Sequence, residues 1–204
     1  MIKSEEIIAG LQAIVNNNVL IATLWHIAIY GLIISLLFSW NPSNKLMAVL
    51  FCLPVVSVSV LAWLSGNPFN GTLFAVLAVL LIIFGLKASS QPVTVSQLAF
   101  LVIGILMIIF ALSYPHFLES DSIVKYLYAS PVGLIPCPTL SLLIGFALVY
   151  NGFGSNALTI SLVVYGLFYG LFGVFRLGVT LDTGLIIGAF SLLVKYIMSI
   201  RHIS

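Results

Sequence analysis

Charged residues divide this chain into long uncharged stretches, at 7–44, 46–86, 88–118 and 126–175. Crossing ~30 Å of hydrocarbon takes about 20 apolar residues at a helical rise of ~1.5 Å. Turn residues interrupt the long stretches at Asn41-Pro42-Ser43-Asn44, at Gly66-Asn67-Pro68-Phe69-Asn70-Gly71, at Ser89-Ser90-Gln91-Pro92 and at Asn151-Gly152-Phe153-Gly154-Ser155-Asn156. The pattern predicts seven spans, near 19–40, 46–64, 71–87, 96–113, 138–151, 157–175 and 182–199. Continuous apolarity selects helices, because barrel strands alternate polar and apolar positions.

Ahead of the first span, Ser4 reads as a helix cap with Glu5 and Glu6 beside it, and Ile7, Ile8, Leu11, Ile14 and Val15 share one face. Residues 4–16 therefore read as an amphipathic helix lying in the membrane interface, the alternative being a simple extension of the first span. The expected fold class is all-α: a polytopic membrane protein forming a single membrane domain over residues 1–204.

Composition sharpens this picture. Hydrophobic residues make up 62% of the 204 and charged residues 6%, whereas a soluble domain carries roughly 25% charged residues. A soluble enzyme, a disordered chain and a nucleic-acid binder are excluded, and a net charge of +2 marks no anionic partner. The environment is the lipid bilayer, with a membrane-complex partner or a second copy of the chain as candidate associates. Cys52 and Cys137 form no C-x-x-C spacing. The acidic start and long apolar run predict that the N-terminal segment is retained.

Seven spans place the N-terminus and the even-numbered loops on one side, A, and the odd-numbered loops and the C-terminus on side B. Lys3, Lys125 and Arg176 fall on side A; Lys45, Lys87, Lys195 and Arg201 fall on side B. All five acids, Glu5, Glu6, Glu119, Asp121 and Asp182, fall on side A. Side B is accordingly expected in the cytoplasm and the N-terminus outside.

The turn Trp40-Asn41-Pro42-Ser43-Asn44-Lys45-Leu46 resembles Tyr150-Asn151-Gly152-Phe153-Gly154-Ser155-Asn156-Ala157-Leu158, and the third and seventh spans both close on a lysine. This suggests two parallel three-helix units joined by the fourth helix, a 3+1+3 plan similar in helix count and order to that of seven-helix sugar and vitamin permeases. Gly166, Gly170 and Gly173 in the sixth span, with Gly184 and Gly188 in the seventh, predict close packing of those two helices. Pro54 is expected to kink the second span.

Ionisable groups in a bilayer are costly, so each is a candidate. His26 lies ~10 Å below side A at helical rise. His116, Glu119 and Asp121 follow Tyr114-Pro115, and Arg176 and Asp182 flank the last side A loop, where a rim salt bridge is expected. Pro136, Cys137, Pro138 and Thr139 open the fifth span: the two prolines remove amide donors, and Thr139 is placed to cap the helix. Imidazole and thiolate suit a soft metal, which makes His26, His116 and Cys137 a candidate metal set, and His26 with His116 a candidate haem pair. In the repeat register His26 aligns with Pro136, next to Cys137. No nucleophile elbow, Walker loop, HExxH or paired-carboxylate helix is present, so no catalytic set is assigned and the cofactor is left open.

Tyr114-Pro115 followed by Gly133-Leu134-Ile135-Pro136-Cys137-Pro138-Thr139 resembles an uncharacterised family of small bacterial multi-helix membrane proteins. The resemblance is specific over residues 114–150. It implies a shared fold and a bacterial inner-membrane setting, and it implies no activity.

The leading expectation is a multi-pass transporter or permease for a small solute or metal ion, entered from side A and lined by His26, Tyr30, Tyr165, Tyr169 and Cys137. An accessory or structural subunit of a larger membrane complex, and a metal- or haem-bearing redox protein, are the competing readings. Topology reporters fused at residues 1, 90 and 204 test the orientation: the first is expected outside and the other two inside, and a cytoplasmic N-terminus overturns it.

Overall fold

A computed structural model describes residues 3–201. All the regular secondary structure among the described residues is helical, with no strand among them. Nine α-helices follow in order: α1 Ser4–Asn17, α2 Val19–Leu37, α3 Asn44–Leu64, α4 Pro68–Lys87, α5 Leu98–Leu112, α6 Ile123–Ala129, α7 Pro136–Val149, α8 Asn156–Leu171 and α9 Thr183–Arg201. Five helical stretches are long and apolar enough to cross a membrane: Val19–Leu37, Asn44–Leu64, Pro68–Lys87, Asn156–Leu177 and Thr180–Arg201. α5 and α7 are apolar but shorter, at 15 and 14 residues. α1 is a helix of its own and not a continuation of α2. Asn18 separates the two, its side-chain amide donating to Ile14 O at 2.7 Å. Leu11, Ile14 and Val15 of α1 are buried against Tyr114, Phe117 and Leu118. α6 is an element that the hydrophobic pattern does not predict.

α7 is the axis of the bundle. Every residue from Pro138 to Val149 is buried, with α5, α8 and α9 packed around it. Its 14 residues rise only ~21 Å, but protein and not lipid meets its ends. Lys195 Nζ donates to Ala147 O at 3.3 Å and Leu148 O at 3.0 Å, and Ser96 N donates to Val149 O at 2.8 Å. A cation at a helix C-terminus also suits the helix dipole. At the other end Thr139 does not cap the first turn. Its hydroxyl accepts from Gly133 N at 2.9 Å and donates to Ile135 O at 2.8 Å, bracing the turn that delivers Pro136 to the first helical position.

Glycines set the closest crossings. A Cβ at Gly104 of α5 would stand 2.7 Å from Gly145 O of α7. Gly166 faces Ile144 and Ala189, and Gly170 faces Ile186, so the sixth-span stripe packs on α9 as expected. Gly184 and Gly188 instead face Phe110 and Met107 of α5. α9 is wedged between α8 and α5 and uses a different face for each.

The connections collect at opposite ends of the bundle. Asn44 N donates to Gln91 O, Val93 N to Pro42 O, and Ser96 Oγ to Asn151 Oδ1, tying three loops together at side B. At side A, Asn16 donates to Phe117 O and accepts from Glu119 N. The two similar turns are equivalent locally: Ser43 accepts from Leu46 N at 3.2 Å and Ser155 from Leu158 N at 3.3 Å, each capping the next helix. The triplets around them pack differently. α7 lies against both α8 and α9, whereas α2 packs chiefly on α6 and α1.

Replacing Gly104 by Leu is expected to lower stability by about 1–3 kcal/mol through overpacking against α7. Gly31→Ala, where an added Cβ meets nothing within 4 Å, leaves it unchanged or raised; thermal unfolding in detergent measures both.

Candidate functional site

The Tyr-Pro pair ends α5 and sets the local chemistry. Pro115 has no N–H, so Ala111 O lacks the donor that a continuing helix would supply. Ser130 Oγ donates to it at 2.9 Å. Leu112 O faces His26 Nε2 at 3.3 Å, Nδ1 lies 2.9 Å from Ala22 O, and Ser130 Oγ is 3.2 Å from Nε2. A neutral imidazole donates through one nitrogen, and a hydroxyl has one proton, so these short contacts are alternatives and not simultaneous donations. His26 is 1% exposed. It packs at the end of α5 and is not among the residues that line the side A cavity.

Immediately before Pro115, Tyr114 is fully buried, and its hydroxyl donates to Asp182 Oδ1 at 2.8 Å. Cys137 Sγ–H donates to Asp182 Oδ2 at 3.1 Å. Tyr114-Pro115 and the Pro-Cys-Pro-Thr run thus converge on one carboxylate. Burial pushes the Tyr114 hydroxyl far above the ordinary phenol range, with Cys137 and Asp182 adding to the effect, so it remains a proton donor. Asp182 is 1% exposed, and none of the described Lys, Arg or His residues pairs with it.

The expected Arg176–Asp182 rim bridge is therefore absent among the described residues. Arg176 Nη1 donates to Ser4 Oγ at 3.0 Å, and Ser4 Oγ donates to Arg176 O at 2.8 Å, which also removes Ser4 from the expected capping role at α1. The cause is the chain path between them. A π-helical turn at Phe172–Leu177 and left-handed Gly178 (φ 73°) reverse the chain, turning Arg176 out toward α1 and Asp182 in beneath Gly173. A Cβ at Gly173 would overlap the carboxylate, so glycine alone leaves room for it.

Asp182 and Cys137 open on a cavity of about 480 Å³ at side A. Its walls come from α1, the α3–α4 turn, Phe117, the residues leading into α7, and the end of α8. They are largely apolar: Ile7, Leu11, Pro68, Phe69, Ile135 and Phe172 contribute. Tyr169 borders the cavity, and its hydroxyl donates to Asn70 Oδ1 at 3.0 Å, tying α8 to the start of α4. Pro136 also lines it.

The remaining candidates lie elsewhere. Tyr30 bonds Leu127 O at 2.6 Å on an exposed face, and Tyr165 bonds Leu73 O at 2.9 Å between α8 and α4. Pro138 and Thr139 are buried in the first turn of α7. Glu119 and Asp121 are exposed loop residues. His116 packs its ring edge-on to Phe117 at 4.3 Å, its Nε2 has no partner, and burial lowers its basicity. No three described His, Cys, Asp or Glu side chains gather as a metal site. His26 is engaged with backbone carbonyls and Cys137 with Asp182, so the candidate set of His26, His116 and Cys137 and the candidate haem pair are not assembled.

Tyr114, Asn70 and the α1 wall are site elements that the sequence reading missed as lining or partners. The one available signal was Tyr114 standing directly before the proline that ends an apolar span. No family model matches this chain, and no curated protein or solved structure matches it.

His26→Ala is expected to lower stability by about 1–3 kcal/mol by removing the buried imidazole that contacts the Ala22 and Leu112 carbonyls and Ser130. Thermal unfolding in detergent checks this, with exposed Asp121→Asn as the unchanged control.

Proposed function

We propose that this chain is a small multi-pass permease of the bacterial inner membrane, with its cargo site in the side A cavity. One observation carries the reading: a buried carboxylate, unpaired with any described cation, opens on an apolar-walled cavity between α1, the α3–α4 turn and the end of α8. An acid is costly to keep at membrane depth, and such groups mark substrate pathways. Tyr114 and Cys137 hold the carboxylate in place by donating to it from two sides, and Asn70 with Tyr169 supplies a second polar point on the wall.

The topology that accompanies this reading has seven crossings, with α5 and α7 as the two short spans. α1 lies in the outer interface and side B faces the cytoplasm. The like-capped Ser43 and Ser155 turns support a 3+1+3 ancestry for the two triplets, even though their packing has diverged. The donor set favours a small organic solute over a metal ion, since Asp182 and Cys137 bring one carboxylate and one thiol and no third described His, Cys, Asp or Glu gathers with them.

A second reading, an accessory subunit of a larger membrane complex, is favoured by α2. That helix buries only Ala22, His26 and Ile29 and turns Leu20, Leu24, Ile27 and Ile34 outward. A stoichiometric partner on native purification would support it.

Proteoliposomes carrying the purified chain, assayed by counterflow against a panel of amines, amino acids, sugars and carboxylates, are expected to show saturable uptake of at least one solute. Asp182→Asn is expected to lower that uptake by about tenfold or more, the size of one lost charge-assisted contact. Absence of flux across the whole panel by folded protein overturns the permease reading.

A further inference from the structure

The permease reading leaves the chemistry of the cargo open, and the cavity's polar groups narrow it. Its described lining contains two acids, Glu6 and Asp182, and no Lys or Arg. An anion brought beside Asp182 would meet a carboxylate with no cation to offset it. Each oxygen of that carboxylate accepts one protein hydrogen bond, from Tyr114 or from Cys137. A carboxylate has about four lone-pair sites, so further acceptor capacity remains on the cavity side. The second oxygen on the wall, Asn70 Oδ1, accepts from Tyr169 and likewise has capacity left. The groups beside Asp182 therefore leave acceptor capacity open, and the two donors that touch the carboxylate are already committed to it. The rest of the wall is mostly apolar, from Ile7 and Leu11 to Phe69 and Phe172, with Ser65, Asn67 and Glu6 as its other polar members.

We propose that the cavity binds an amphiphilic primary ammonium ion, its N–H groups donating to the Asp182 carboxylate and its alkyl body lying along the apolar wall. The site stands on the geometry of Asp182; only the claim that the bound cation is carried across rests on the permease reading. A primary ammonium offers three donors in a compact head, which fits a place where the protein supplies acceptors. Burial away from water makes the charge-assisted contact stronger than it would be in solution. Such a head occurs on free alkylamines and on ethanolamine lipids, and the two sources share this chemistry.

The probe series is octylammonium, octanol and octanoate, which hold the alkyl body constant and change the head. The full chain is placed in nanodiscs of phosphatidylcholine, and its melting temperature is followed as each probe is added. Octylammonium is expected to raise the melting temperature saturably, and octanol and octanoate are not. Asp182→Asn is expected to weaken octylammonium binding about tenfold or more. Ile7→Trp, which fills the α1 wall and leaves the carboxylate untouched, is expected to weaken it as well, and it decides the matter if Asp182→Asn does not fold.

Equal shifts with all three probes, no shift with octylammonium, or full binding in both variants overturns the inference. Discs containing phosphatidylethanolamine separate the sources: competition by the lipid supports the cation site and assigns a lipid headgroup, and undiminished octylammonium binding supports it and assigns a free amine. Counterflow of a neutral solute without ammonium binding would sink this inference and leave the permease standing. Ammonium binding without flux would do the reverse.

Discussion

Hydrocarbon offers no hydrogen bonds, and most of this molecule follows from that constraint. A helix that runs unbroken satisfies its own backbone, but every break exposes carbonyls that only protein can serve. Pro115 creates such a break at the end of α5, and Ser130 and His26 are brought in from α6's end and from α2 to close it. The C-terminus of α7 is another, and Lys195 reaches it from α9 while Ser96 reaches it from the preceding loop. The chain has few polar side chains, and many of the buried ones serve helix ends.

The same constraint explains how a 14-residue helix can sit at the centre. α7 is buried by α5, α8 and α9, so its length is matched to the protein around it and not to the bilayer. Without a hydrophobic drive between helices in lipid, close approach has to come from shape. The Gly104–Gly145 crossing and the Gly166–Gly170 stripe supply that shape. Gly173 extends the stripe but serves a different end, since the space it leaves is filled by the Asp182 carboxylate.

Asp182 stands out because it closes no helix end that an alternative residue could not close. Tyr114 and Cys137 donate to it, and both come from the two stretches whose backbone is bent by proline. The irregular segments of the chain thus meet at the acid, next to the side A cavity, and the regular helices form the frame that holds them there. Non-helical backbone in a membrane protein is tolerated where it is buried in protein or lines a cavity, and here it does both.

Residue order alone settled the solvent and the long elements. The absence of charge over 7–44, 46–86, 88–118 and 126–175 leaves lipid as the only medium that suits the chain. Periodicity and turn residues located α2, α3, α4, α8 and α9, because span length and helix caps depend on neighbours within a few positions. Ser43 and Ser155 are local caps and were legible for that reason. The roles of His26, Lys195 and Asp182 were not, since their partners lie 86, 48 and 68 residues away respectively, at Leu112, Ala147 and Tyr114. A polar residue in an apolar helix announces that it needs a partner. Which carbonyl, hydroxyl or thiol answers is decided by how the helices cross, and that is a property of the packed bundle.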